Sequence, residues 1–359
     1  MTFNDFLSSD FTERIRIPEN RDIINGIRCN RNERVEYWDK DFCKLLLENI
    51  SFRDLTLYPD LSRIYKVIAS YESIKDSNLL IGSGIDGIIK NIFETYSKKN
   101  MNIGLLSPSY AMYYIYTKLF DCNLLEIGYD FQKFKLNKEL LYKSLSKIDL
   151  LFIPNPNQPI EDNLSINELE ELAKACKKNE VLLIFDEAYY GFGCETAKNL
   201  IYSFENVGVM RTFSKFFGLP SARVGYLMAN ENLIKRISQK RISYETNSIS
   251  QKIIINLLNN LDYVISYNKK VCESRERLKQ KFYKHNLRFN AKASNFMLFD
   301  LLTQKIKKGI ISDFQENKIY TKHEFKNEME NCILMTLGPY DIMSKIEKIV
   351  SQRIEFKKK

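Results

Sequence analysis

The amino-acid sequence predicts an α/β fold, with a large domain on a mostly parallel central sheet and a smaller α+β domain after it. Three observations carry this. Between residues 77 and 212, short apolar runs alternate with segments of helical spacing. The runs are apolar at consecutive positions, so both faces of each strand must be covered. After about residue 230 the pattern changes to long polar helices followed by two further apolar runs.

In chain order, Asn78-Leu-Leu-Ile81 is the first strand, followed by a glycine-rich turn and a helix beginning at Asp86 and ending near Tyr96. Met101-Asn-Ile-Gly-Leu-Leu106 is the second strand. Asp149-Leu-Leu-Phe-Ile153, a helix over residues 166–178, Val181-Leu-Leu-Ile-Phe185 and Val207-Gly-Val-Met-Arg-Thr212 continue the alternation. Helices are then predicted over residues 232–241 and 249 to about 283, and strands at Phe296-Met-Leu-Phe299 and Cys332-Ile-Leu-Met-Thr336. These elements divide the chain into an N-terminal segment (1–50) that joins the smaller domain, a large domain (51–235) and a small C-terminal domain (236–359).

Composition narrows the function. The net charge of +9 comes from 54 basic and 45 acidic residues spread along 359, with one dense basic block at Lys357-Lys358-Lys359. Such a surface is solvated and favours small phosphorylated molecules over nucleic acid or a membrane. The seven cysteines are scattered and never in Cys-x-x-Cys spacing, which suggests neither a disulfide framework nor zinc and suits a reducing cytoplasm. With two histidines, His285 and His323, neither a histidine-rich metal site nor a Ser-His-Asp triad is expected. No apolar run approaches the roughly 18 residues of a membrane span, and no signal peptide is visible.

Three features carry chemistry. The run 181–185 ends in Asp186 and Glu187. An acid there caps a helix, holds magnesium in a nucleotide triphosphatase, or pairs with a protonated cofactor ring nitrogen. The triphosphatase also needs Gly-x-x-x-x-Gly-Lys-Ser/Thr, which does not occur. The second feature, Gly82-Ser-Gly-Ile-Asp-Gly87, is either a plain tight turn or a phosphate cup formed by backbone N–H groups at a helix start. The third is Lys215, with Thr212 and Ser214 before it and Arg223 after it. Buried beside a cation, such a lysine stays partly unprotonated and can form an imine. The hydroxyls and the guanidinium can share an anion. A solvent-facing Ser-Lys pair is the plainer alternative, and the spacing to Arg223 argues against it.

Taken in order, Asn32-Glu33, Tyr58-Pro-Asp60, Gly82-Ser-Gly-Ile-Asp86, Ser107-Pro-Ser-Tyr110, Asn155-Pro-Asn-Gln-Pro159, Asp186-Glu-Ala-Tyr189 and Ser214-Lys215 through Arg223-Val-Gly-Tyr226 resemble the fold-type I pyridoxal-phosphate enzymes. The likeness is greatest to the branch of histidinol-phosphate aminotransferase and threonine-phosphate decarboxylase. The resemblance implies that Lys215 is the Schiff-base lysine and proton carrier. It implies that Asp186 holds the pyridine nitrogen, Tyr189 the phenolic oxygen and Tyr110 the ring face. Ser83, Gly84, Ile85 and Asp86, with Thr212, Ser214 and Arg223, then receive the phosphate. Tyr58 reaches the phosphate of a neighbouring subunit, so a homodimer is implied. Asn32 falls among the substrate-facing positions.

Two departures from the family pattern concern substrate. The family string Asn-Pro-Thr-Gly is replaced by Gln158-Pro159-Ile160-Glu161, leaving Asn157 and Gln158 as candidates for the phenolic oxygen. Relatives carry an arginine for the substrate α-carboxylate in Arg-Ile-Thr-Val-Gly; here the string is Leu334-Met-Thr-Leu-Gly338. Leucine cannot replace a bidentate clamp. The expected activity is transfer of an amino group from an amino-acid donor to a small phosphorylated carbonyl acceptor, one without an α-carboxylate, with Lys322 as a candidate for the distal phosphate. Decarboxylation of serine or threonine phosphate is the alternative within the family. A binding module without catalysis is the alternative outside it.

Overall fold

The computed structural model describes residues 25–355, so the lysine block at the C-terminus and the first 24 residues lie outside the described part. The chain enters through β1 (Ile27–Cys29) and helices α1 (Lys40–Leu46), α2 (Arg53–Thr56) and α3 (Ser62–Glu72). The sheet-forming stretch follows: β2 (Leu79–Gly82), α4 (Gly84–Tyr96), β3 (Asn102–Ser107), α5 (Ala111–Leu119), β4 (Asn123–Asp130), β5 (Lys135–Leu136) and α6 (Lys138–Ser144). It continues through β6 (Leu150–Pro154), α7 (Ile166–Lys178), β7 (Leu182–Asp186), β8 (Val207–Thr212) and β9 (Gly225–Ala229).

These strands form one eight-stranded sheet in the order β2-β9-β8-β7-β6-β3-β4-β5. The central pairings β4–β3–β6–β7–β8 are parallel. Strand β9 runs antiparallel to both its neighbours. The consecutive apolar positions have a simple origin. On β6, Leu151 and Ile153 enter the core on one face of the sheet, and Leu150 and Phe152 enter the core on the other. Each such side chain, fully buried, stabilises the fold by about 1.5–3 kcal/mol.

The remaining elements are α8 (Glu231–Ser238), α9 (Ser248–Leu258), α10 (Leu261–Lys284), β10 (Arg288–Asn290), β11 (Phe296–Asp300), α11 (Gln304–Glu316), β12 (Ile319–Thr321), β13 (Cys332–Thr336) and α12 (Tyr340–Glu355). Strands β10, β11 and β13 make a three-stranded antiparallel sheet with its own core, and β1 pairs in parallel with β12. The single helix expected from residue 249 to about 283 is two, α9 and α10. They break at Asn259 and Asn260, where the Asn260 side chain donates to the Asn256 carbonyl at 2.8 Å.

Strand β9 positions the site. Its first residue, Gly225, lies between Gly82 at the end of β2 and Thr212 at the end of β8. The glycine-rich turn and the Thr212–Lys215 segment therefore meet at one edge of the sheet. Pro154 and Asp186, at the carboxyl ends of β6 and β7, are paired there too. That edge is where open α/β sheets bind ligands.

Candidate active site

An open cavity of about 770 Å³ lies at this edge. Its wall includes Ile85, Asp86 and Tyr110 from the first half of the sheet, Asn157 and Gln158 from the loop after β6, and Asp186 and Tyr189 from the end of β7. Thr212, Ser214, Lys215 and Arg223 complete it.

Backbone geometry builds one end of the cavity. Gly84 has φ +73, and a Cβ there would stand 2.6 Å from Arg223 Nη2. A Cβ on Gly225 would stand 2.7 Å from both the Gly84 carbonyl carbon and the Ile85 nitrogen. Glycine at 84 lets the guanidinium close over the start of α4, and glycine at 225 lets β9 approach that turn's backbone. Ser83, the N-cap of α4, makes no side-chain cap bond. Its hydroxyl instead donates to the Glu245 carbonyl at 2.6 Å. The first amides of α4 are thus left uncapped by a side chain, at the positive end of the helix dipole. Arg223 lies 3.2 Å from Asp86, an ion pair half open to solvent and weak for that reason. Thr212 Oγ1 donates to Ser214 Oγ at 2.9 Å, adding two hydroxyls to the rim.

At the centre, Asp186 is 5% exposed. Its carboxylate accepts from the Tyr113 hydroxyl and, at 2.9 Å, from the Ala188 amide. Neither partner is a cation, and burial pushes its pKa up to about 6. Lys215 Nζ donates to the Arg31 carbonyl at 3.0 Å. Burial brings its pKa down to about 8, with Glu33 opposing and Arg223 adding to the fall. Tyr110 donates to Asp86 at 2.7 Å and meets Tyr113 edge-on at 5.9 Å.

From Gln158 and Tyr189 in the far wall a chain of hydrogen bonds runs into the protein. Asn32 Nδ2 donates to Tyr189 Oη at 2.8 Å, and Tyr189 Oη donates to Gln158 Oε1 at 3.1 Å. Of the two amide candidates, Asn157 is committed to its loop: it accepts from Ser109 and donates to the Pro108 and Ile160 carbonyls. Asn32 in turn is held by Thr336, whose hydroxyl accepts from the Asn32 amide at 2.8 Å and donates to Asn32 Oδ1 at 3.2 Å. Leu334 shares the Thr336 face of β13 and is 1% exposed.

Lys322, Tyr58 and Asn32 do not line the cavity; Asn32 is buried and reaches it only through Tyr189. Lys322 bridges Leu334 through the backbone, with its ammonium 5.5 Å from the Phe325 ring centroid. Tyr58 is 83% exposed and stacks on Tyr244 at 4.7 Å. Tyr113, which holds Asp186, was missed in the sequence; its one signal is a position three residues after Tyr110 on the same helical face. A buried charge cluster below the site was also missed. Arg211 bonds Glu72 at 2.8 Å and Glu187 at 2.9 Å, pinning β8 to α3 and to the residue after Asp186.

An uncapped helix start facing an arginine and two hydroxyls suits a phosphate. A buried carboxylate without a cation suits a protonated ring nitrogen, and a lysine lowered to about 8 suits an imine-forming amine. Fold and site together define a pyridoxal-phosphate-dependent enzyme of fold type I.

Residues 43–339 match the family Aminotransferase class I and II, and the chain belongs to it. A histidinol-phosphate aminotransferase from Brachyspira hyodysenteriae is 31% identical over 342 residues, 90% of this chain and 92% of the relative. The histidinol-phosphate aminotransferase of Sinorhizobium meliloti, solved with pyridoxal-5'-phosphate, superposes with a TM-score of 0.81 at 21% identity, covering 91% of this chain and 90% of that one. L-threonine-O-3-phosphate decarboxylase from Porphyromonas gingivalis superposes with a TM-score of 0.75 at 17% identity, covering 92% and 99%. The protein is a pyridoxal-phosphate-dependent aminotransferase of the histidinol-phosphate aminotransferase-like group.

Proposed function

We propose that this aminotransferase moves an amino group from an amino-acid donor to a small phosphorylated ketone or aldehyde without an α-carboxylate, yielding an amino-alcohol phosphate. The observation that carries it is Leu334, buried on the face of β13 that Thr336 presents to Asn32. The position is apolar where a carboxylate clamp would need a guanidinium. The names of the relatives agree in chemistry: histidinol phosphate is itself an amino-alcohol phosphate with no carboxyl on its amine-bearing carbon.

The residue roles follow from this reading. When bound, pyridoxal phosphate supplies an electron sink for the carbon that carries the exchanged nitrogen. Lys215 holds the cofactor and carries the proton between that carbon and the cofactor. Asp186 keeps the ring nitrogen protonated and gains the cation its buried carboxylate lacks. Tyr189 and Gln158 serve the phenolic oxygen, Tyr110 covers the ring face, and the α4 amides with Arg223, Thr212 and Ser214 hold the phosphate. Phe52, Leu55, Leu57 and Tyr58, each more than half exposed, form an apolar patch suited to a second copy, from which the partner subunit's Tyr58 completes the phosphate site.

The test is a set of single-turnover half-reactions of the cofactor-loaded enzyme, following loss of its visible band. Amino-alcohol phosphates should react faster than phosphoserine or phosphothreonine. Faster reaction of the carboxylated amines would overturn the acceptor class, and carbon dioxide released from them would replace transamination with decarboxylation.

A further inference from the structure

Glu161 stands where the family string has glycine, and it is fully buried. Burial pushes its carboxyl pKa up, yet the group is closely satisfied. Its carboxylate accepts from Ser294 Oγ at 2.5 Å, from the Ala293 amide at 2.6 Å and from the Lys292 amide at 3.1 Å. Its own amide donates to Asn290 Oδ1 at 2.6 Å, and its carbonyl accepts from Asn290 Nδ2 at 2.9 Å. The next residue, Asp162, accepts from Lys292 Nζ at 2.8 Å and Lys135 Nζ at 2.9 Å. Arg275 donates to the Ser294 carbonyl at 2.9 Å and is the cation acting on Glu161.

These contacts close a ring. From Glu161 the chain runs back through Ile160 and Pro159 to Gln158, which accepts from Tyr189. Tyr189 accepts from Asn32, and the Asn32 carbonyl accepts from Asn295 Nδ2 at 3.1 Å. Asn295 follows Ser294, which returns to Glu161. The segment between β10 and β11 is thereby tied to the cavity wall at both ends, once through Glu161 and once through Asn32. We propose that Glu161 is a positioning residue of the active site: it bolts residues 292–295 to the Gln158 loop and so holds Asn32, Tyr189 and Gln158 in register on the cofactor's phenolic oxygen. This rests on the reading of Lys215 as the cofactor-bearing amine and of Tyr189 as the partner of that oxygen.

The mechanism is geometric. A glycine at 161 keeps the backbone exchange with Asn290 but loses the carboxylate that collects Ser294, Ala293 and Lys292. The 292–295 segment then loosens, and with it the carbonyl of Asn32. Donors to the phenolic oxygen favour its ionised form, so loosening them raises the pH at which the visible band of the bound cofactor titrates.

The experiment compares Glu161→Gly, Glu161→Gln and Ser294→Ala in the cofactor-loaded enzyme. Glu161→Gly should move the band's titration midpoint up by about one pH unit and lower kcat/KM on the order of tenfold. Glu161→Gln, which keeps an acceptor for Ser294, should recover most of both. Ser294→Ala should shift the midpoint in the same direction, and the Glu161→Gly/Ser294→Ala double variant should add little to Glu161→Gly. If Glu161→Gly does not fold, Ser294→Ala alone decides. Variants that lose thermal stability while midpoint and kcat/KM stay at wild-type values would overturn the proposal. A wild-type enzyme lacking a borohydride-reducible band that depends on Lys215 would instead overturn the reading beneath it.

Discussion

The two walls of the cavity are built on different principles. The wall at the ends of β7, β8 and β9 is charged and local: Asp186, Thr212, Ser214, Lys215 and Arg223 lie within 38 positions of one another. The wall at Gln158 and Tyr189 is neutral, and the buried residues behind it, Asn32, Thr336 and Glu161, join distant segments, 304 positions apart for Asn32 and Thr336. The residue types of the first wall suit the charges of one cofactor. The second carries Gln158, backed by Glu161, where this chain departs from the family string.

The largest effect should come from removing the amine of the local wall. Lys215→Ala is expected to lower transamination on the order of 10⁴-fold or more, since both the covalent link and the proton carrier go with it. The check is borohydride reduction, which should trap no cofactor on the protein. A reducible band that survives in this variant would move the chemistry to another lysine.

Next is Asp186→Asn. With the cofactor bound, loss of the carboxylate should lower kcat/KM on the order of 10³-fold. Without cofactor the same change should stabilise the protein. The folded-state pKa of Asp186 is raised from 3.8 to about 6, so the wild-type apoenzyme binds more protons than the unfolded chain in that window. Its stability therefore falls as pH rises from 3.8 to about 6, by about 3 kcal/mol in all, and stays lower above it. The variant lacks that slope. Thermal melts of both apoproteins at pH 4 and pH 7 check it: equal differences at the two values would remove the carboxylate from the account.

The contrast between the walls also explains what was legible in the sequence. Strands β6, β7 and β8 and helix α7 are readable to within a residue because two-sided burial leaves continuous apolar runs and Ser165 caps α7 with Glu168. Strand β4 is not, because it is largely exposed and only Ile127 along it is fully buried. Strand β9 hides inside the stretch after Arg223, and the three-residue strands β1, β10 and β12 are too short to show a period. In the site, Lys215, Asp186 and Arg223 stand out because charge at a strand end needs a reason. Tyr113, Thr336 and Ser294 do not stand out, since a tyrosine, a threonine and a serine acquire their roles only when distant segments meet.

The distant wall can be sharpened at Leu334. An arginine there restores the family's residue type in a buried position, and an unpaired buried guanidinium costs several kcal/mol of stability. A substrate carboxylate offsets that cost. Leu334→Arg should therefore melt lower than wild type when free, while its half-reactions with glutamate or phosphoserine gain about tenfold over those with an amino-alcohol phosphate. Leu334→Ala controls for the opened space. An equal gain in Leu334→Ala would show that size, not charge, disfavours the carboxylate.

The smallest effect is expected at Tyr58, which belongs to neither wall of its own chain. If the partner subunit's Tyr58 donates to the cofactor phosphate, Tyr58→Phe loses one hydrogen bond to a charged acceptor that Arg223, two hydroxyls and the α4 amides still hold. Cofactor affinity should drop about fivefold to tenfold. The signature separating this from a local defect is concentration. Wild-type affinity should fall as the protein is diluted and the copies separate, because each site then loses its borrowed hydroxyl. The affinity of Tyr58→Phe should change less over the same range. Parallel dilution curves for the two proteins would place Tyr58 outside the phosphate site.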